Sequence, residues 1–303
     1  MAKLRGVRGA VGWCAASALL YLLVRSILYA GANALLGLFH AGATLARPVG
    51  VSDLTVGLFQ LFIGIGALLI PLGFTLRLTR LDNRDLRLLL PAPWSPAFCL
   101  PVFLGLANIG NLAGALLTAL FGGESGAQRL PSGGSALFLQ FVLLCVMPAL
   151  LEELFFRGAL QGLLRPSGSA VAIFGPALLF ALLHLDLIQG LTALVCGVFL
   201  GWLAERSGSI LPGMLLHFIN NCLAFLTLYL RLYAPAELAL ALELFLVLFF
   251  PLFCLWLLYH ARKQGFRFSA GLRPGVDVLA VFGSPAYTLA VLFLLAYTVF
   301  FVP

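Results

Sequence analysis

Apolar runs of 18 residues or more recur along this chain, and runs of that length read as transmembrane helices. The apolar segments fall at 11–39, 54–76, 97–121, 136–164, 170–185, 187–204, 210–230, 237–258 and 279–302. Pro, Gly and Ser mark the joints, as in Arg165-Pro166-Ser167-Gly168-Ser169 and Ala234-Pro235-Ala236. Charged residues make up 10% of the 303 positions, against about 25% in a soluble domain. That deficit is too large for a globular core and too spread out for one buried helix. The predicted fold class is all-α: a polytopic transmembrane bundle of about eight or nine helices. By region, 1–130 supplies N-terminal helices, 136–230 carries the polar residues of interest, and 237–303 supplies C-terminal helices.

Segment 11–39 is expected to be one long span, or a span and an interfacial piece broken at Arg25. The start MAKLRGVRGA, followed by VGWCAASALLYLLV, also resembles a signal peptide with a possible cleavage site at Ala30-Gly31-Ala32. Retention is expected, because the apolar stretch resumes after Arg25. Segments 170–185 and 187–204 are short and read as a hairpin that spans with little to spare or dips partway. The patterns Gly110-x-x-x-Gly114 and Gly197-x-x-x-Gly201 offer close helix approach and carry no chemistry.

The net charge is +7, but the basic residues punctuate apolar segments and form no patch interleaved with aromatics. Membrane topology, and not nucleic acid, is the expected reason. With nine crossings and a cytoplasmic N-terminus, the inner loops hold Lys3, Arg5, Arg8, Arg77, Arg80, Arg84, Arg87, Arg165, Arg206, Arg262, Lys263, Arg267 and Arg273. The outer loops hold Arg47, Arg129 and Arg231, and Arg25 and Arg157 lie within segments. The six cysteines all sit in apolar segments without a C-x-x-C pair, so they read as buried small hydrophobes.

Against this background the stretch LLEELFFRGAL at 150–160 stands out. An ionised group at mid-bilayer costs about 2.5–3.5 kcal/mol, so Glu152, Glu153 and Arg157 together would cost about 8–10 kcal/mol before pairing. Glu153 and Arg157 are four apart, share a helix face and can neutralise each other. Glu152 points about 100° away from Glu153 and has no partner in its own segment. Outside that helix, His184 ends 170–185, and His217 and Asn221 lie one turn apart in the next polar-bearing span. At about 1.5 Å per residue, Glu152 is about 18 Å from residue 164 and His184 about 21 Å from residue 170. His217 and Asn221 are about 10 and 16 Å from residue 210. Side chains from three segments can therefore meet in one layer.

A carboxylate, two imidazoles and an amide in a low-dielectric pocket form a hydrolytic inventory, with base, proton-transfer and oxyanion functions available. Each also has a plainer reading. An intramembrane His or Asn more often makes a helix–helix hydrogen bond. Glu243 reads as a snorkelling residue near a segment end. His40 and His260 read as interfacial, Asn108 and Asn111 as packing polars, and Asp186 as turn chemistry.

In order and spacing, Glu152-Glu153-x-x-x-Arg157, Phe180-x-x-x-His184 and His217-x-x-x-Asn221 resemble the three signatures of the CAAX-processing and bacteriocin-processing family of intramembrane glutamic endopeptidases. Gly158 after the arginine, and Ala204-Glu-Arg-Ser-Gly-Ser-Ile-Leu-Pro212 before the last motif, add to the likeness. The resemblance covers about residues 136–230. It implies that Glu152 activates a water for attack on a peptide carbonyl and that His184 shares in holding it. His217 with Asn221 would stabilise the oxyanion, Glu153 and Arg157 would support, and Phe180 would pack the wall. No cofactor is expected; the rival is a catalytic zinc on Glu152, His184 and His217, although no H-E-x-x-H pair is present. The implied partners are the lipid bilayer and a membrane-embedded or lipid-modified peptide, whether prenylated, leader-bearing or of bacteriocin type. The implied location is a bacterial cytoplasmic membrane. Alternatives from other classes are a non-catalytic scaffold or immunity protein that keeps the site for binding, and a proton-coupled transporter. The transporter expects paired halves with matching interrupted helices, which the sequence does not display.

Overall fold

The structure, a computed structural model, describes residues 6–82, 84–121, 130–272, 274 and 282–301. Lys3, Arg5, Arg129 and Arg273, with the ends of the last expected segment at 279–281 and 302, lie outside the described residues. Among the described residues there is no strand. That is what a lipid environment demands of an open chain, since each helix satisfies its own backbone polar groups.

The helices are α1 (Val7–Phe39), α2 (Asp53–Thr79), α3 (Pro96–Phe121) and α4 (Gly134–Ser167). They continue as α5 (Ser169–Leu182), α6 (Leu187–Ser207), α7 (Leu211–Tyr233), α8 (Ala236–Lys263) and α9 (Pro285–Phe301). Seven are long and apolar enough to cross a membrane, while α5 and α9 fall short. This is a multi-pass integral membrane protein. The long apolar side chains left exposed on α8, among them Leu244, Phe245, Leu248, Leu252 and Trp256, are suited to lipid and not to water.

The expected alternatives resolve at two places. Helix α1 runs unbroken through Arg25 and Ala30–Ala32, and Arg25 lines a cavity. Helix α5, with 14 residues, is about 21 Å long, shorter than the roughly 30 Å hydrocarbon core. It turns into α6 through His184, Leu185 (φ 57°) and Asp186. Asp186 caps α6, its carboxylate accepting from the Ile188 and Gln189 amides at 2.8 and 3.0 Å, so it is turn chemistry as expected.

Packing crosses the three sequence regions. Phe155, Phe156 and Leu160 of α4 share one core with Cys14 and Ala18 of α1, Leu179 of α5, and Tyr287 and Leu294 of α9. A second core joins α3, α6 and α8 through Phe103, Phe199, Leu203 and Cys254. The pair Gly110 and Gly114 lets α3 press directly on Thr192 and Ile188 of α6. Asn108 bonds the Leu104 carbonyl and Asn111 accepts from Thr192, as packing polars do. Glu243 pairs with Arg231 across α7 and α8, and His260 bonds the Trp256 carbonyl one turn back. The six cysteines are free.

One polar clamp fixes the end of α4. Glu205 accepts from Arg165 Nε and Gln161 Nε2, both at 2.8 Å, and from Arg87 Nη2 at 3.0 Å. Arg165 also donates to the Asp85 carbonyl. The loop that follows α2 and the ends of α4 and α6 therefore meet on one side of the bundle.

Candidate active site

Helix α4 leaves α geometry where its charges lie. Val142–Val146 and Pro148–Leu160 are π-helical, a widened i→i+5 pattern that is rare and concentrates at functional sites. Pro148, at the junction, brings no N–H to the ladder. Nothing in the residue spacing announced this widening.

Glu153 is fully buried, and one of its oxygens serves two donors. Oε1 accepts from Arg157 Nη1 at 2.8 Å and from His217 Nδ1 at 2.9 Å. The Arg157 guanidinium also lies 4.4 Å from the Phe180 ring centroid, a cation–π contact in a desolvated setting. Two glycines make room for this layer. A Cβ at position 197 would meet Arg157 Nη2 at 3.2 Å, and one at position 213 would meet Glu153 Oε2 at 3.3 Å. The Gly197-x-x-x-Gly201 pattern, expected only to bring helices together, thus also seats the guanidinium.

The link from Glu153 to His217 was missed in the sequence, where Glu153 read as the partner of Arg157 alone. It settles the histidine's protonation on one side. A carboxylate can only accept, so His217 Nδ1 carries a hydrogen and Nε2 faces the other way. Nε2 lies 4.0 Å from Glu152 Oε2, too long for a direct hydrogen bond. Both adjacent glutamates therefore address one imidazole, Glu153 at Nδ1 and Glu152 at Nε2.

His184 is oriented in a similar way. Its Nδ1 is 2.7 Å from the Phe180 carbonyl, another pure acceptor, so Nδ1–H donates and Nε2 is left with its lone pair. The Phe180 ring meets His184 edge-on at 4.7 Å and His217 at 6.2 Å, filling the space between them.

Glu152, Phe180, His184, His217 and Asn221 all line one cavity of about 600 Å³. Glu153 and Arg157 stand behind it, 0% and 2% exposed, whereas the Glu152 side chain is 22% exposed. Asn221 accepts a 3.4 Å contact from Asn220 and is otherwise turned to the same space. Helices α1 and α2 complete the wall with Tyr21, Arg25, Tyr29 and Gln60, residues to which the sequence reading gave no role. Their signal was the four-residue spacing of Tyr21, Arg25 and Tyr29. No three His, Cys, Asp or Glu side chains among the described residues are grouped to hold a metal ion. Glu152, His184 and His217, the donors of the rival zinc reading, are thus not drawn together as a ligand set.

The arrangement offers a partly exposed carboxylate, a lone-pair nitrogen and an oriented imidazole around one partly open cavity, a set suited to activating water. No curated protein and no solved structure matches the chain. Residues 134–223 match the family described as Rce1-like, type II CAAX prenyl endopeptidase. That span takes in all three motifs, with Glu152, Glu153, Arg157, Phe180, His184, His217 and Asn221, while Tyr21, Arg25, Tyr29 and Gln60 lie outside it. Residues 134–223 are thus similar to the Rce1-like family of CAAX endopeptidases, and they are set within a larger helical membrane protein.

Proposed function

We propose that this chain hydrolyses a peptide bond inside the membrane, with Glu152 as the base that activates water. The carrying observation is the division of labour between neighbours: Glu153 is committed to Arg157 and His217, whereas Glu152 faces the cavity. A water held between Glu152 and His184 Nε2 gives its proton to the carboxylate as its oxygen attacks the carbonyl. The negative charge that develops on the carbonyl oxygen is met by Asn221 and by His217, whose Nε2 donates when the ring is doubly protonated. Collapse breaks the C–N bond, and the proton on Glu152 passes to the leaving amine. Hydrolysis consumes one water and needs no further reactant.

The substrate is a membrane-embedded or lipid-modified peptide, and the family's prenyl-peptide chemistry is the first to test. We also place the N-terminus in the cytoplasm of a bacterial cell. The shared Glu205 clamp supports this, since it gathers Arg87 and Arg165, both assigned to inner loops, on one side. The test uses purified protein in detergent, offered prenylated and leader-type peptides, as wild type, Glu152→Ala and His217→Ala. Cleavage should be lost in both variants. Cleavage indifferent to both substitutions refutes the mechanism.

A further inference from the structure

Arg25 is an intramembrane charge that neither topology nor the Glu153–Arg157 pair explains. It lies about 24 Å along α1 from Gly9 and about 21 Å from Phe39. Snorkelling serves residues near helix ends, and Arg25 is near neither. Among the described residues it makes no ion pair and no side-chain hydrogen bond. It is nonetheless fixed in place relative to the site. Tyr21, Arg25 and Tyr29 form one stripe on α1, and all three line the cavity. The Tyr21 ring packs on Phe155 at 6.4 Å, tying this stripe to the π-helical segment that bears Glu152. Arg25 and Glu152 share the cavity wall with Tyr21. They are the two formally charged side chains lining the cavity, yet they do not pair with each other.

A guanidinium held apart from the base, facing a cavity within a membrane, marks a place for an anionic group of a ligand. Its planar fork matches a carboxylate or a phosphate with two parallel hydrogen bonds. A phospholipid phosphate sits at headgroup level, whereas Arg25 is at mid-helix. A cavity of about 600 Å³ is of the size that encloses a small ligand. Within a membrane the carboxylate that a peptide brings is most readily its C-terminal one, because Asp and Glu side chains are rare there. We infer that Arg25 anchors the free C-terminal carboxylate of the peptide whose scissile bond lies at Glu152. It is a specificity-determining residue contributed by α1, outside the family-matched span. The assignment rests on Glu152 being the hydrolytic base.

The test is binding, read independently of cleavage. Full-length Glu152→Gln protein in lipid nanodiscs is titrated with a fluorescent prenylated peptide bearing a free C-terminal carboxylate, and with its C-terminally amidated twin. The acid should bind roughly 10- to 100-fold more tightly, the worth of a charge-assisted bond. Adding Arg25→Gln should erase the difference, and Arg25→Lys should restore part of it. Acid and amide that bind equally, or not at all, overturn the proposal. So does a response to Arg25→Gln seen only as altered dependence on anionic lipid, which would assign the site to a phosphate headgroup. Wild-type protein that prefers the acid but cuts neither peptide would sink the hydrolase and leave the anchor standing.

Discussion

Removing Glu153 should separate its two duties, stabilising Arg157 and orienting His217. Glu153→Leu leaves the Arg157 guanidinium, 2% exposed, without its counter-ion. Stranding a buried charge in this way costs about 3–5 kcal/mol, and the Phe180 ring contact, present before and after the substitution, offsets none of it. The single variant should therefore lose about 3–5 kcal/mol of stability. Replacing the partner as well, in Glu153→Leu/Arg157→Met, removes both charges from the layer. Exchanges of whole buried pairs for apolar side chains are often neutral, so the double variant should return to within about 1 kcal/mol of wild type. Catalysis should not return with it. His217 Nδ1 has lost its acceptor in both variants, and the ring is free to rotate or change tautomer. Turnover should fall on the order of 10²- to 10⁴-fold, chiefly in kcat, because the lost interaction is realised in the transition state. Denaturant unfolding in mixed micelles reads the first effect, and peptide hydrolysis by the folded fraction reads the second. A double variant with wild-type turnover would refute the positioning of His217 by Glu153. A double variant as unstable as the single would refute Arg157 as the source of the cost.

Three further substitutions test the surroundings. Glu205→Ala deprives Arg87, Arg165 and Gln161 of a shared acceptor; it should cost about 1–3 kcal/mol and speed proteolysis in the 82–92 loop. Gly197→Val pushes a side chain against Arg157 Nη2, where even a Cβ would sit at 3.2 Å. It should lower stability by about 1–3 kcal/mol and reduce hydrolysis in the same preparations. Asp186→Ala removes two capping bonds from α6. It should cost about 1 kcal/mol in thermal unfolding while kcat stays within a few-fold of wild type. A collapse of kcat there would mean that Asp186 takes part in the chemistry.

The long helices were legible because run length and the scarcity of charge constrain a membrane chain so tightly. The continuity of α1 was not, since an arginine in mid-run reads as a break until the structure gives it a cavity to face. The convergence of Glu152, His184, His217 and Asn221 on one space could be approached by counting residues from segment ends, because helical rise is constant. The bond between Glu153 and His217 could not, for helix spacing speaks only of neighbours on the same helix and these residues are 64 apart. The Glu205 clamp was hidden for another reason. Arg87 and Arg165 lie at segment ends, where topology alone is a sufficient explanation. The π-helical run was invisible because local residue types carry no mark of an i→i+5 ladder.

The two adjacent glutamates meet the cost of intramembrane charge in opposite ways, and the proposed reaction depends on that difference. Ionised Glu152 and Glu153 with Arg157 sum to one negative charge, and a second proton on His217 brings the group to zero. That proton would sit on Nε2, facing Glu152 across 4.0 Å. The gap is too long for the two to bond directly. A developing oxyanion beside Nε2 meets a donor there, while Glu152 takes the proton from the water held toward His184. Glu153 must stay rigid and out of reach for this to work, and its burial secures that. Glu152 must instead exchange protons with whatever occupies the cavity, and its partial exposure permits it. Exchanging the two environments would leave the composition of LLEELFFRGAL unchanged and remove the base from the substrate. Which of the two positions faces the cavity is therefore as much a part of the chemistry as the residues themselves.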